Sequence, residues 1–141
     1  MSEKNSCFTY FAIKGDFNPD DITAKLGLSP TQQWRIGDAR RHFKGYYDFA
    51  LWKYGMCDEY DIDIENQMMK TISDLMPKIP ELKEIKNEYD VSFVLEIVPS
   101  IYVGESTPCL NPNRAVIEFC YHTDTDIDID LYVYNSDEEE E

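Results

Sequence analysis

The residues with the most evident chemical potential lie near the C-terminus. There Asp124, Asp126, Asp128 and Asp130 recur at every second position, and Tyr132 and Tyr134 follow in the same phase. Thr125, Ile127, Ile129, Leu131 and Val133 fill the alternate positions. Successive strand side chains point to opposite faces, so residues 124–134 predict a half-buried antiparallel strand, apolar on one side and acidic on the other. Carboxylates roughly 7 Å apart along one face repel one another, and that face needs a cation, a basic partner or water to offset the repulsion.

Each chemistry such residues could serve makes further demands. Asp124, Asp126 and Asp128 match the opening of an EF-hand loop, but its glycine position is occupied by Ile129 and its final glutamate position by Asn135. His42 and His122 stand alone, and Cys7, Cys57, Cys109 and Cys120 are scattered without zinc-ligand spacing. Cys120 and His122 lie two apart on a predicted helix and so face away from each other. No glycine-rich phosphate loop or nucleophile motif is present, and nothing singles out a carboxylate acid/base pair. The reading is a non-enzyme with no assigned metal or cofactor.

Two other clusters carry charge. Asp58, Glu59, Asp61, Asp63 and Glu65 surround Tyr60 in a second acidic bend. Residues 29–45 hold the dense positive cluster, Arg35, Arg40, Arg41 and Lys44 around His42, with Trp34 and Phe43 as aromatic anchors. A loop of that length is uncommon without a task. It reads either as a surface loop pinned by Trp34 with its arginines paired to acids, or as an anion-binding loop using Trp34, Arg35, Arg40 and Arg41.

The chain that must position these groups has 141 residues, enough for one domain with a real core. Its 28 acids against 13 lysines and arginines give a net charge of −15. Such a surface repels nucleic acid and anionic membranes and attracts basic proteins. No run approaches the ~20 apolar residues of a membrane span, and the polar start Met-Ser-Glu-Lys lacks an apolar signal core. The expectation is a cytoplasmic protein with reduced thiols, Cys7 and Cys120 serving as core.

Residues 7–14 read as a strand. Asn18 then caps a short helix with Pro19 in its first turn, Asp20 and Asp21 at its positive end, Ile22 and Leu26 inward and Gly27 past its end. Residues 46–54 predict a second strand. From 63 to 76 the stripe Ile64, Met68, Ile72, Leu75 and Met76 predicts a helix stopped by Pro77, and residues 80–88 a shorter one with Leu82 and Ile85 inward. Residues 91–98 predict a central strand ended by Pro99, with an edge continuation over 101–103. Asn111-Pro112 repeats the cap-then-proline start for a helix bearing Ala115, Val116, Phe119 and Cys120. The fold class is therefore α+β in two layers: an antiparallel or mixed sheet of about four to five strands, helices on one face, the other face open. Residues 1–135 form the single domain, and residues 136–141 are an acidic tail expected to be disordered.

Residues 10–23 (Tyr-Phe-Ala-Ile-Lys-Gly-Asp-Phe-Asn-Pro-Asp-Asp-Ile-Thr), Leu-Gly-Leu-Ser-Pro-Thr at 26–31 and Trp-Arg-Ile-Gly-Asp at 34–38 resemble a bacterial family, domain of unknown function 4279. That family closes, as here at 128–132, with an Asp-Ile-Asp-Leu-Tyr strand. The resemblance covers most of the chain. It implies a bacterial cytosolic α+β domain and carries over no catalytic residue; the acidic stretch at 58–65 and the glutamate tail depart from its pattern.

Surface chemistry supplies the functional expectation. Tyrosines among carboxylates offer contact area and hydrogen bonds while the charges steer a basic partner. The chain is expected to be an immunity-type inhibitor that grips a basic toxin, such as a nuclease, through Asp58, Tyr60, Asp61, Asp126, Asp128, Asp130 and Tyr132. The alternative is a small-anion sensor built on the Trp34/Arg35 loop.

Overall fold

The computed structural model describes residues 5–55 and 63–135. Strand β1 (Ser6–Asp16) alternates Cys7, Thr9, Phe11 and Ile13 inward with Phe8, Tyr10, Ala12 and Lys14 outward. It pairs antiparallel with β3 (Ala50–Gly55) on one side and β4 (Asp90–Tyr102) on the other. A short β2 (Gln32–Trp34) adds to β3, while β5 (Thr125–Ile129) and β6 (Tyr132–Tyr134) both lie against β4. The sheet order is β2-β3-β1-β4-β5, with β6 extending the β5 edge.

Four helices, α1 (Pro19–Leu26), α2 (Ile64–Ser73), α3 (Ile79–Glu88) and α4 (Arg114–Thr123), pack against the inward side chains. Phe11 meets Phe93 and Phe119 edge-on, at ring centroid distances of 5.4 and 6.0 Å. Trp52 is fully buried, and its Nε1 donates to Thr23 Oγ1 at 3.0 Å, so α1 is held by an indole that leaves no polar group unpaired. Burying each such ring contributes about 2–3 kcal/mol. Cys7 and Cys120 belong to this core, and burial pushes the Cys120 thiol up to about 11. The architecture is the expected α+β one, with a mixed sheet of six strands.

Local signals held best in α1. Asn18 Oδ1 accepts from Asp20 N at 3.0 Å, and Gly27 takes the left-handed φ of 67° that ends the helix. Elsewhere the boundaries moved. The cap of α4 is Asn113, whose Oδ1 accepts from Val116 N at 3.0 Å, rather than Asn111 before Pro112. The 63–76 helix stops at Ser73, and a 3-10 turn (Met76–Lys78) leads into α3. Residues 46–49 are not strand, because Tyr47 and Phe49 fold back onto Trp34.

The largest correction concerns the C-terminal strand. It is parallel to β4, and it is two strands rather than one. α4 forms the crossover that a parallel pair requires, and Asp124, at a left-handed φ of 53°, turns its end straight into β5. The break between β5 and β6 lies opposite Pro99, which does not end β4 as the sequence predicts. Ile97 O accepts from Asp130 N and Val103 N donates to Tyr134 O, both at 2.9 Å, so the odd residues of β4 face this edge. The position that lacks an N–H therefore faces the break, and Pro99 costs the β1 ladder nothing. Nor is the apolar side of this strand buried. Exposure climbs from 8 % at Thr125 to 38, 41, 49 and 63 % at Ile127, Ile129, Leu131 and Val133, because the strand runs out from under the helices.

Gly15 marks the tightest strand approach. With φ at 151°, a β-carbon there would sit 2.1 Å from Asp90 O. Gly15→Ala is expected to destabilise the chain by about 2–4 kcal/mol in urea unfolding. An unchanged midpoint would contradict the close passage of β1 and β4.

Candidate functional site

The face of the sheet opposite the helices carries the chemistry. Register places side chains in rows across it, since paired residues of neighbouring strands share a face. One row runs Tyr10, Glu96, Asp128, and the adjacent one Lys53, Ala12, Val94, Asp126. Lys53 Nζ stands 4.0 Å from the centroid of the Tyr10 ring. Its ammonium is pushed below the ordinary range by burial and then by Lys14, while Glu96 pulls the other way. The Tyr10 phenol is raised by burial, then by Glu96, Asp128 and Asp130.

Glu96 is the most perturbed carboxyl of this face. Burial, then the hydrogen bond and charge of Asp128, push it up to about 7; Asp130 adds to the shift and Lys14 opposes it. Glu96 Oε2 is shielded from water with no N–H or O–H partner among the described residues. Two ionised carboxylates repel each other, so Asp128 beside it favours the protonated form of Glu96. Glu96 escaped the sequence reading of the site. The signal for it was there: a lone acid in the apolar run of β4, in phase with the open face.

Of the predicted partner-binding residues, Asp126, Asp128, Asp130 and Tyr132 do come together, all exposed along the β5–β6 edge of this face. The Tyr132 hydroxyl donates to Asp130 Oδ2 at 3.1 Å, and Tyr134 stacks on Tyr102 at 5.2 Å between centroids. No lysine or arginine among the described residues forms an ion pair with Asp126, Asp128 or Asp130. Asp124 leaves the ladder, its carboxylate and carbonyl taking Lys86 Nζ at 3.2 and 2.7 Å. Asp58, Tyr60 and Asp61 lie outside the described residues. No group of three or more acids, histidines or cysteines among the described residues could hold a metal ion.

The four predicted anion-binding residues do not converge. Trp34 stacks on Tyr47 at 3.8 Å and donates Nε1 to Phe49 O at 3.0 Å. Arg35 is committed to Asp20, and the Arg40 guanidinium lies 4.8 Å from the Phe43 ring centroid. Arg41 and Trp34 do line a hollow of about 550 Å³, together with Gln33, Asp38 and Tyr47. Asp38 offsets the charge that Arg41 brings there.

The family model described as Domain of unknown function (DUF4279) matches residues 5–134, nearly the whole chain, and the chain belongs to that family. No curated protein and no solved structure matches it. Among the described residues no helix is long and apolar enough to cross a membrane.

The raised Glu96 carboxyl has a measurable consequence. Folding raises Glu96 from the ordinary 4.5 to about 7, so between those values the folded chain binds a proton that the unfolded chain has released. The stability this confers is present at the acid end and is lost as pH rises through about 7. Glu96→Gln is expected to remove that loss: relative to wild type, the variant gains on the order of 1 kcal/mol between about pH 5 and pH 8, after allowance for solvent screening. Parallel urea titrations of both proteins read this difference. Identical pH profiles would rule out the upward shift of Glu96.

Proposed function

We propose that this member of the family is a protein-binding domain that engages a basic partner through the acidic, tyrosine-flanked edge of its open sheet face. The observation that carries the reading is the row Asp126, Asp128, Asp130: three exposed carboxylates on one uncovered strand edge, with no cation of the described chain paired to them. Desolvated tyrosines beside fixed charges make a serviceable interface, and the chain's net charge of −15 speeds encounter with a cationic surface. The role that suits these properties is an immunity-type inhibitor. A nuclease builds its active groove from cations that bind phosphates, and a rigid row of carboxylates competes for the same cations.

A second reading has one observation in its favour, the hollow where Trp34 and Arg41 meet. A rise in Tm with inorganic phosphate, abolished by Arg41→Ala, would support small-anion binding there.

The principal test is capture of partners by the tagged chain from its native lysate at low and high salt, followed by affinity measurement on the purified partner. A basic protein released by salt is expected. Reversing Asp126→Lys and Asp128→Lys together should weaken its binding by about two orders of magnitude or more, with the circular dichroism spectrum retained. Unchanged affinity of the reversed chain would remove the acidic face from the interface.

A further inference from the structure

The edge that bears the acids is also an unpaired edge of the sheet. β5 and β6 pair with β4 on one side, and no described strand pairs with the other. The backbone phase says what that edge offers. Asp130 N and Tyr134 O both bond to β4, so the even residues of this segment spend their backbone groups inward. N–H and C=O directions alternate along a strand, and Ile127, Ile129 and Val133 must then point theirs outward. The residues whose amides are free are the ones whose side chains form the exposed apolar side. Beyond them a hollow of about 300 Å³ opens between Ile101, Val103, Pro108, Leu110, Leu131 and Val133.

We propose that the outer edge of β5 and β6 receives, by strand addition, an extended segment of a partner protein in which basic residues alternate with apolar ones. The proposal rests on the basic-partner reading above and gives that partner its chemistry. A guest strand lies roughly 4.8 Å away, so its side chains on the acidic face fall within reach of Asp126, Asp128 and Asp130, where lysine or arginine is favoured. Its other side chains lie beside Ile127, Ile129 and Val133, with the adjoining hollow open to a bulky apolar residue. Free backbone groups supply binding strength and the alternation supplies selectivity.

Charge excludes the most readily available alternative guest, a second copy of this chain. Paired antiparallel, the copy would set its aspartate row beside the first aspartate row. Paired parallel, the half-step of bonded positions would put its aspartates beside the apolar side. Both arrangements are unfavourable, whereas a basic and apolar alternation satisfies both faces.

The test uses the full chain and two fluorescent peptides of nine residues, one alternating lysine with valine and one with the same residues in two blocks. Anisotropy at physiological salt is expected to show the alternating peptide binding at least about tenfold more tightly. Hydrogen exchange should slow at the amides of Ile127 and Ile129 only with that peptide. Ile127→Pro removes an outward N–H while leaving the β4 bonds intact. It should reduce the alternating peptide to the affinity of the block peptide, with Tm held within a few degrees. Equal binding of both peptides without amide protection overturns strand addition and leaves the basic-partner reading standing. Binding of neither peptide overturns both, and undiminished binding by the Ile127→Pro chain overturns strand addition alone.

Discussion

Pro99 has no N–H to give, and β4 turns that position away from β1 toward the strands that follow α4. The break in the C-terminal edge follows from this. β1 and β4 stay paired from end to end, so Phe11, Phe93, Leu95 and Ile97 are held in one surface for the helices to cover. The neighbour on the other side cannot run unbroken past a missing donor and separates into β5 and β6. Parallel pairing comes from the same region. The chain leaves β4, returns through α4 and can only re-enter beside β4 in the same direction.

The parts of the fold that were legible in the sequence are those with local causes. Asn18, Pro19 and Gly27 define α1 because caps and left-handed turns are settled within a few residues. The stripes of α2 and α3 place Ile64, Met68, Ile72, Leu82 and Ile85 inward as their spacing requires. The parts that were not legible depend on distant partners. Alternation at 124–134 correctly gathers Asp126, Asp128, Asp130 and Tyr132 on one face, yet it is silent on whether the opposite face is covered, and the helices stop short of it. A proline in an apolar run says a donor is missing but not which neighbour would have wanted it. The loop at 29–45 shows the same limit. Its arginines look like a cluster in the sequence, and the fold disperses them to Asp20, to Phe43 and to the hollow beside Trp34.

An apolar, unpaired edge is ordinarily a hazard, since a row of free backbone groups will accept any extended chain. Here the alternate face of the same strand is acidic, and the whole molecule is strongly negative. Like copies are repelled at distances near the Debye length, about 8 Å at physiological salt, before their edges can meet. The aspartates thus guard the edge against self-pairing, and the same charge would favour a cationic chain over a second copy.

Glu96 refines that arrangement from beneath. Lying behind Asp128 in register, it adds a fourth carboxyl to the face, but one that prefers to keep its proton until about pH 7. A cation placed beside Glu96 would weaken the hold on that proton, because it favours the ionised form of the carboxyl. Binding of a basic group there would thus be coupled to release of the proton by the same electrostatics. It is the burial of Glu96 that leaves this face a carboxyl able to gain charge near pH 7.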